Sequence, residues 1–258
     1  MPIIKPTNRT APVFFPATDY TIVKYLDLTK FISLLQNKAL FFCRLDKLED
    51  QFEGMTTKPN RDLRFKIYEN YRNSGLSKTE MTDEDIRKKV ESQYEFDKNL
   101  KAITCVNCWN KKNNESAALW KIYSSFSNGL MIKSSISKLI SSLDSTNEEI
   151  DLTEIKYLDY SRDYMPEGNS NYPLLHKHDA YSYEEEVRLI YRKMPESGWV
   201  YDWTKEEVLE GLYIRCEINK LIDKIVISPF SQNWFFKLIK DISSKYGLDK
   251  ECFKSELT

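Results

Sequence analysis

The run DAYSYEEEVRLIYRK, residues 179–193, sets three consecutive acids at the head of a β-branched and aromatic stretch, Val187–Tyr191, that is apolar apart from Arg188. Side chains alternate along a strand, so the pattern predicts Glu184, Glu186 and Arg188 on one face and Glu185 and Val187 on the other. Two carboxylates and a guanidinium are expensive to place beside a core, and this constrains any fold built around the strand. Either the charged face lines a cleft, or it forms an exposed ladder paired with lysines on a neighbouring strand.

The rest of the chain supplies an ordinary globular frame. Its 258 residues are 41% hydrophobic and 30% charged, with a formal net charge of −1. That length buries a sizeable core, and that charge excludes a general nucleic-acid or membrane-surface binder. No apolar run reaches bilayer length, and Met1–Thr10 lacks the charged start and apolar centre of a signal peptide. Five cysteines, an odd number in a long chain, suit free thiols in a reducing compartment, so the expected location is cytoplasmic.

Four prolines mark residues 1–18 as an extended arm ahead of one domain over 19–258. Tyr20–Tyr25 reads as a strand. DLTKFISLLQNK reads as a helix, with Phe31, Leu34 and Leu35 on one stripe and Asp27 or Thr29 as N-cap. Ala39–Cys43 is a second strand, and RLDKLEDQFEG at 44–54 a charged loop anchored by Leu48 and Phe52. Residues 61–101 predict two polar helices broken at Ser74-Gly75, the second starting at Thr82, as a helical insertion or lid of modest burial. Strands are expected at Lys101–Cys108, Gly129–Lys133, in TEIKYLDY and at 186–192. Segments 212–216 and 224–228 read as a strand or a helix. Helices are expected at Glu115–Phe126 and Asn233–Lys245, with 161–178 irregular. Strands and helices mix without regular alternation, which predicts an α+β domain with a mixed, mainly antiparallel sheet.

Several chemistries can be weighed on this scaffold. Cys105-Val-Asn-Cys108 lacks a second C-x-x-C, and only His176 and His178 could complete a site, so no metal is expected. Seven glycines offer no phosphate-binding turn, and there is no nucleophile elbow. Carboxylate chemistry is left by elimination. Trp109, Trp120 and Tyr123 read either as core or as a stacking wall for a nucleobase or nicotinamide ring, with Trp120 and Tyr123 neighbours on one helix face. The 44–54 loop adds Arg44, Asp50 and Glu53 as candidate binding residues.

Taken in order, Lys24-Tyr25, Glu49–Glu53, Trp120–Tyr123, Lys177–Arg188 and Ser228-Pro229 resemble the pattern of a widespread bacterial family, domain of unknown function number 2971 (DUF2971). The resemblance spans about residues 20–257; it departs at Glu49-Asp50-Gln51, where the family has Asn-Asp-Pro, and at Tyr181, often Trp. The strand-borne E-x-E, the aromatic-basic first strand and the aromatic helix also resemble the layout of ADP-ribosyltransferases. That second resemblance implies an ADP-ribosyltransferase-like sheet and NAD as a candidate substrate, with Glu186 carrying catalysis and Glu184 orienting the acceptor or taking its proton. It also implies pyrophosphate contacts from Arg188, Lys24 and Lys177, and stacking on Tyr25, Trp120 or Tyr123. The expected partner is a nucleotide-like small molecule. The alternative is a non-enzymatic nucleotide- or nucleic-acid-binding module in bacterial defence or stress response.

Overall fold

The computed structural model describes residues 3, 11–74, 81–124, 127–193 and 210–257. Residues 1–2 and 4–10 of the expected arm, the Gly75 half of the expected helix break, and Ser125-Phe126 at the end of an expected helix lie outside them. The chain forms one mixed α/β domain around an open, mainly antiparallel nine-stranded sheet.

In the first half, β1 (Thr21–Asp27), α1 (Leu28–Asn37) and β2 (Ala39–Arg44) are followed by α2 (Lys58–Asn73) and α3 (Asp83–Ile103). Then come β3 (Thr104–Lys111), α4 (Ala117–Tyr123), β4 (Gly129–Ser135) and α5 (Ile136–Ser142). The second half holds β5 (Asp151–Glu154), β6 (Lys156–Leu158), β7 (His176–His178), β8 (Glu186–Arg192) and β9 (Gly211–Arg215). It closes with α6 (Ile218–Leu221), β10 (Lys224–Ile227), α7 (Asn233–Lys245) and β11 (Cys252–Lys254).

Local chemistry explains most of these boundaries. The Asp27 carboxylate accepts from Lys30 N at 2.8 Å and caps α1, whose Phe31, Leu34 and Leu35 are buried. Thr82 and Asp85 form a capping box at the start of α3. That helix runs to Ile103, past the strand start expected at Lys101, because Leu100 and Ile103 extend its apolar stripe into the body. The expected TEIKYLDY strand divides into β5 and β6, and α5, capped by Ser135, occupies a stretch with no predicted element. The supposedly irregular 161–178 segment contains a 3-10 turn, Tyr172–Leu174, and β7. Along the α2–α3 hairpin Leu63 and Ile67 are exposed, while Ile86 is fully buried.

The sheet order is β11-β10-β4-β1-β3-β2-β9, with β8 on the other edge of β3 and β5 beyond it. β3 is a branch point. β8 pairs with it from Thr104 to Asn110, but its opposite edge is shared: β2 pairs at Cys105 and Val106, β1 at Asn110 and Lys111. In the gap between them, side chains stand in for ladder bonds. Lys24 Nζ donates to Cys108 O at 2.6 Å, and the Asn107 amide donates to Phe41 O at 2.8 Å.

One face of the sheet carries the main core, where Phe31, Leu139, Phe235 and Ile239 from the helices meet Ile22, Trp109, Leu152, Val187 and Leu189. The other face holds two smaller apolar clusters. Tyr25, Leu119, Trp120 and Met131 form one, and Leu45, Val106, Leu174 and Ile190 the other. The charged face of β8 belongs to this second side.

Candidate functional site: a buried carboxylate–lysine–arginine cluster

β8 begins at Glu186, and its register with β3 pairs Glu186 with Asn110 and Arg188 with Cys108. Glu184 is not on the strand. It ends a 3-10 turn, Asp179–Glu184, and Glu185 then takes a left-handed conformation, φ 46° and ψ 56°. This kink turns Glu185 outward, where it pairs with Lys112, and brings Glu184 back beside Glu186. The expected segregation of Glu184 and Glu186 from Glu185 thus arises from a backbone kink rather than from strand alternation. A left-handed residue without a glycine's freedom is strained, and β-branching worsens it. Glu185→Gly is therefore expected to leave the urea midpoint unchanged or raised, whereas Glu185→Val lowers stability by about 1–3 kcal/mol. An equal response to both would show that the kink is not enforced.

Neither an open cleft nor an exposed ladder surrounds the acids: Glu184 is 2% exposed, Glu186 3% and Arg188 0%. They are buried because partners arrive from three other places. Lys177 Nζ donates to Glu184 Oε2 at 2.7 Å and to Glu186 Oε2 at 3.1 Å. Arg188 Nε donates to Glu186 Oε1 at 2.6 Å, its Nη1 to Leu174 O at 3.2 Å, and its Nη2 to Glu53 Oε1. Tyr123, the last residue of α4, donates its hydroxyl to Glu184 Oε1. Three carboxylates therefore share two cations.

Lys177 comes from the small parallel pair β6–β7, where it faces Tyr157 in register. The Tyr157 hydroxyl accepts from Glu186 N–H at 2.8 Å, and the Asn110 amide donates to Glu184 O at 3.0 Å, so the backbone on both sides of Glu185 is fixed. The Tyr181 ring lies under Lys177 Nζ at 4.9 Å. Tyr157, Asn110 and Cys108, which stands opposite Arg188 in the β3–β8 register, were not singled out from the sequence for this site. Only the register of β3, β6 and β7 brings them there, and that has no local signature.

Glu53 is carried in by the 44–54 loop. Of the two expected anchors, Leu48 packs against the Leu45 cluster while Phe52 is 60% exposed, and the loop is held further by buried Leu45, by Glu53 on Arg188, and by Lys101 Nζ donating to Gln51 O at 2.8 Å. Gly54 next to Glu53 has φ +77°, and a Cβ there would lie 2.6 Å from Leu45 Cδ2. Gly54→Ala is expected to lower stability by about 1–3 kcal/mol, read as a shift in urea midpoint; an unchanged midpoint would mean that the loop is free to adjust.

Electrostatics follow the burial. Desolvation alone would lower the Lys177 pKa, but Glu186 and Glu184 outweigh it and hold the ammonium well above its ordinary range. Burial, with Glu184 alongside, pushes Glu186 upward against the pull of Lys177. Burial brings Arg188 down to about 9, still charged at neutral pH. It also depresses Lys24 and raises the Cys108 thiol, the latter with help from Glu186.

The remaining candidates separate. Trp109 and Trp120 are wholly buried, the first in the main core and the second edge-on to Tyr25 at 4.9 Å, so neither offers a ring face for stacking. Tyr25 shares the sheet face of Glu186, through Val23 opposite Asn110, but its hydroxyl accepts from Ser116 N–H. Arg44 is buried on Asp46 of its own turn. Asp50 caps its loop through Phe52 N–H, and its other oxygen, Oδ2, is buried without a hydrogen-bond partner among the described residues. Lys24, Lys177 and Arg188, expected to contact a pyrophosphate, are each engaged by protein oxygens in this arrangement. Cys105 and Cys108 lie on opposite faces of β3, Cys105 in the main core, and cannot close on one ion. Among the described residues no group of three or more His, Cys, Asp or Glu is arranged to hold a metal, and no described helix is long and apolar enough to cross a membrane. No family model, no curated protein and no solved structure matches this chain.

Proposed function

We propose that the cluster around Glu184 and Glu186 carries ribosyl transfer from NAD, or its hydrolysis, in an ADP-ribosyltransferase-like arrangement of a cytoplasmic member of the DUF2971 family. The observation that carries this reading is the convergence of two glutamates, two residues apart, on one lysine beside Tyr123 and Tyr181. Cleavage of the bond to nicotinamide develops positive charge on the ribose. Glu186, fixed by Arg188 and Lys177, is a preorganised carboxylate to oppose that charge. Glu184 has one cation and one neutral donor, which suits it to take the acceptor's proton. A nucleic-acid-binding module would instead present exposed cations, whereas Lys177 and Arg188 are buried on carboxylates. The test is incubation with NAD while nicotinamide release is followed by chromatography; release above the uncatalysed rate is expected, and none at high protein concentration would overturn the reading.

A further inference from the structure

Glu184 and Glu186 are sealed, so any ligand that uses them must first uncover them. Of the side chains hydrogen-bonded to the two acids, Tyr123 is the most exposed, at 38%. It ends α4, so its ring can turn about χ1 without disturbing the helix, a motion that exposed side chains make on fast timescales. Its contact with Glu184 is a neutral hydroxyl donating to a carboxylate oxygen whose partner oxygen is held by Lys177. A sugar hydroxyl presents the same donor.

We infer that Tyr123 is a side-chain gate, its hydroxyl holding on Glu184 the place taken by a ribose-type hydroxyl when the ligand enters. The inference rests on the reading above for the identity of the ligand, and on geometry alone for the gate. Removing the Tyr123 hydroxyl removes the competitor for Glu184, so a ligand that replaces it binds more tightly. Cys108, partly exposed and opposite Arg188 on the sheet face that carries Glu186, is a built-in reporter of opening, and buried Cys105 on the opposite face of the same strand is its control.

The experiment measures alkylation of Cys108 and Cys105 by iodoacetamide with peptide mass spectrometry, and ADP-ribose binding by calorimetry. The proteins are the wild type, Tyr123→Phe and Tyr123→Ala. In Tyr123→Ala, Cys108 is expected to react about tenfold faster or more with Cys105 unchanged, and ADP-ribose to slow that reaction. Tyr123→Phe is expected to bind ADP-ribose about tenfold more tightly than wild type, the equivalent of one hydrogen bond to a charged group. Unchanged Cys108 reactivity in a folded Tyr123→Ala protein overturns the gate. If both cysteines become reactive, the alanine variant has unfolded and Tyr123→Phe decides: binding equal to or weaker than wild type overturns the gate. Faster Cys108 labelling without ADP-ribose binding in any variant overturns the NAD reading and leaves the gate standing.

Discussion

Replacing Arg188 by methionine is expected to destabilise the protein by about 3–5 kcal/mol, the largest stability effect of any single substitution at the site. Methionine keeps much of the volume and the apolar stem of a side chain that is wholly buried. It leaves Glu53 and Glu186 without their guanidinium donor, with Lys177 left to face three carboxylates. The loss should therefore come from uncompensated buried charge rather than from a cavity. Urea unfolding of Arg188→Met and of the triple variant Arg188→Met, Glu53→Gln, Glu186→Gln separates the two causes. If charge is responsible, the triple variant recovers a large part of the loss, since neutral side chains of similar size carry no such penalty. A loss below about 1 kcal/mol in the single variant, typical of a surface position, would contradict the burial of the cluster.

The second large effect is on chemistry. Glu186→Gln is expected to reduce nicotinamide release from NAD by about a hundredfold or more, comparable to removing one preorganised electrostatic contact. The amide oxygen can still accept from Arg188 Nε, while the amide nitrogen turns toward Lys177 in place of Oε2. Three carboxylates share two cations, so the loss of one negative charge takes the cluster to balance, and the fall in stability should be smaller than for Arg188→Met. Because the carboxylate acts on charge that exists mainly in the transition state, NAD affinity should change less than turnover. Glu185→Gln, one residue away but turned outward onto Lys112, is the control. Equal loss in both variants, or unaltered turnover in Glu186→Gln, would remove Glu186 from the mechanism.

Where a segment's structure is decided by its own residues, the sequence was readable. The stripe Phe31, Leu34, Leu35 with its Asp27 cap, the Thr82 cap of α3 and the amphipathic α7 are local patterns, and each helix forms where it was expected. The alternation of β8 from Glu186 onward, with Val187 and Leu189 in the main core and Glu186 and Arg188 on the other face, follows from the period of a strand. The members of the buried cluster were visible too, since Glu184, Glu186, Arg188, Lys177, Glu53 and Tyr123 stand out in the sequence as charges or rings.

What only the tertiary structure decided is what those residues are to one another. An isolated E-x-E-x-R strand has no reason to be buried. It is buried here because Glu53, 135 residues distant along the chain from Arg188, and Lys177, delivered by the β6–β7 pair, supply opposite charge at hydrogen-bond distance. The same context decided between the two local readings of Trp109 and Trp120, whose rings the sheet register commits to cores, and drew Tyr123 to Glu184 through its hydroxyl. The physical reason is range. Helix stripes, caps and strand alternation arise within a few residues, whereas the desolvation of a charge is offset only by partners that the chain brings back from far away.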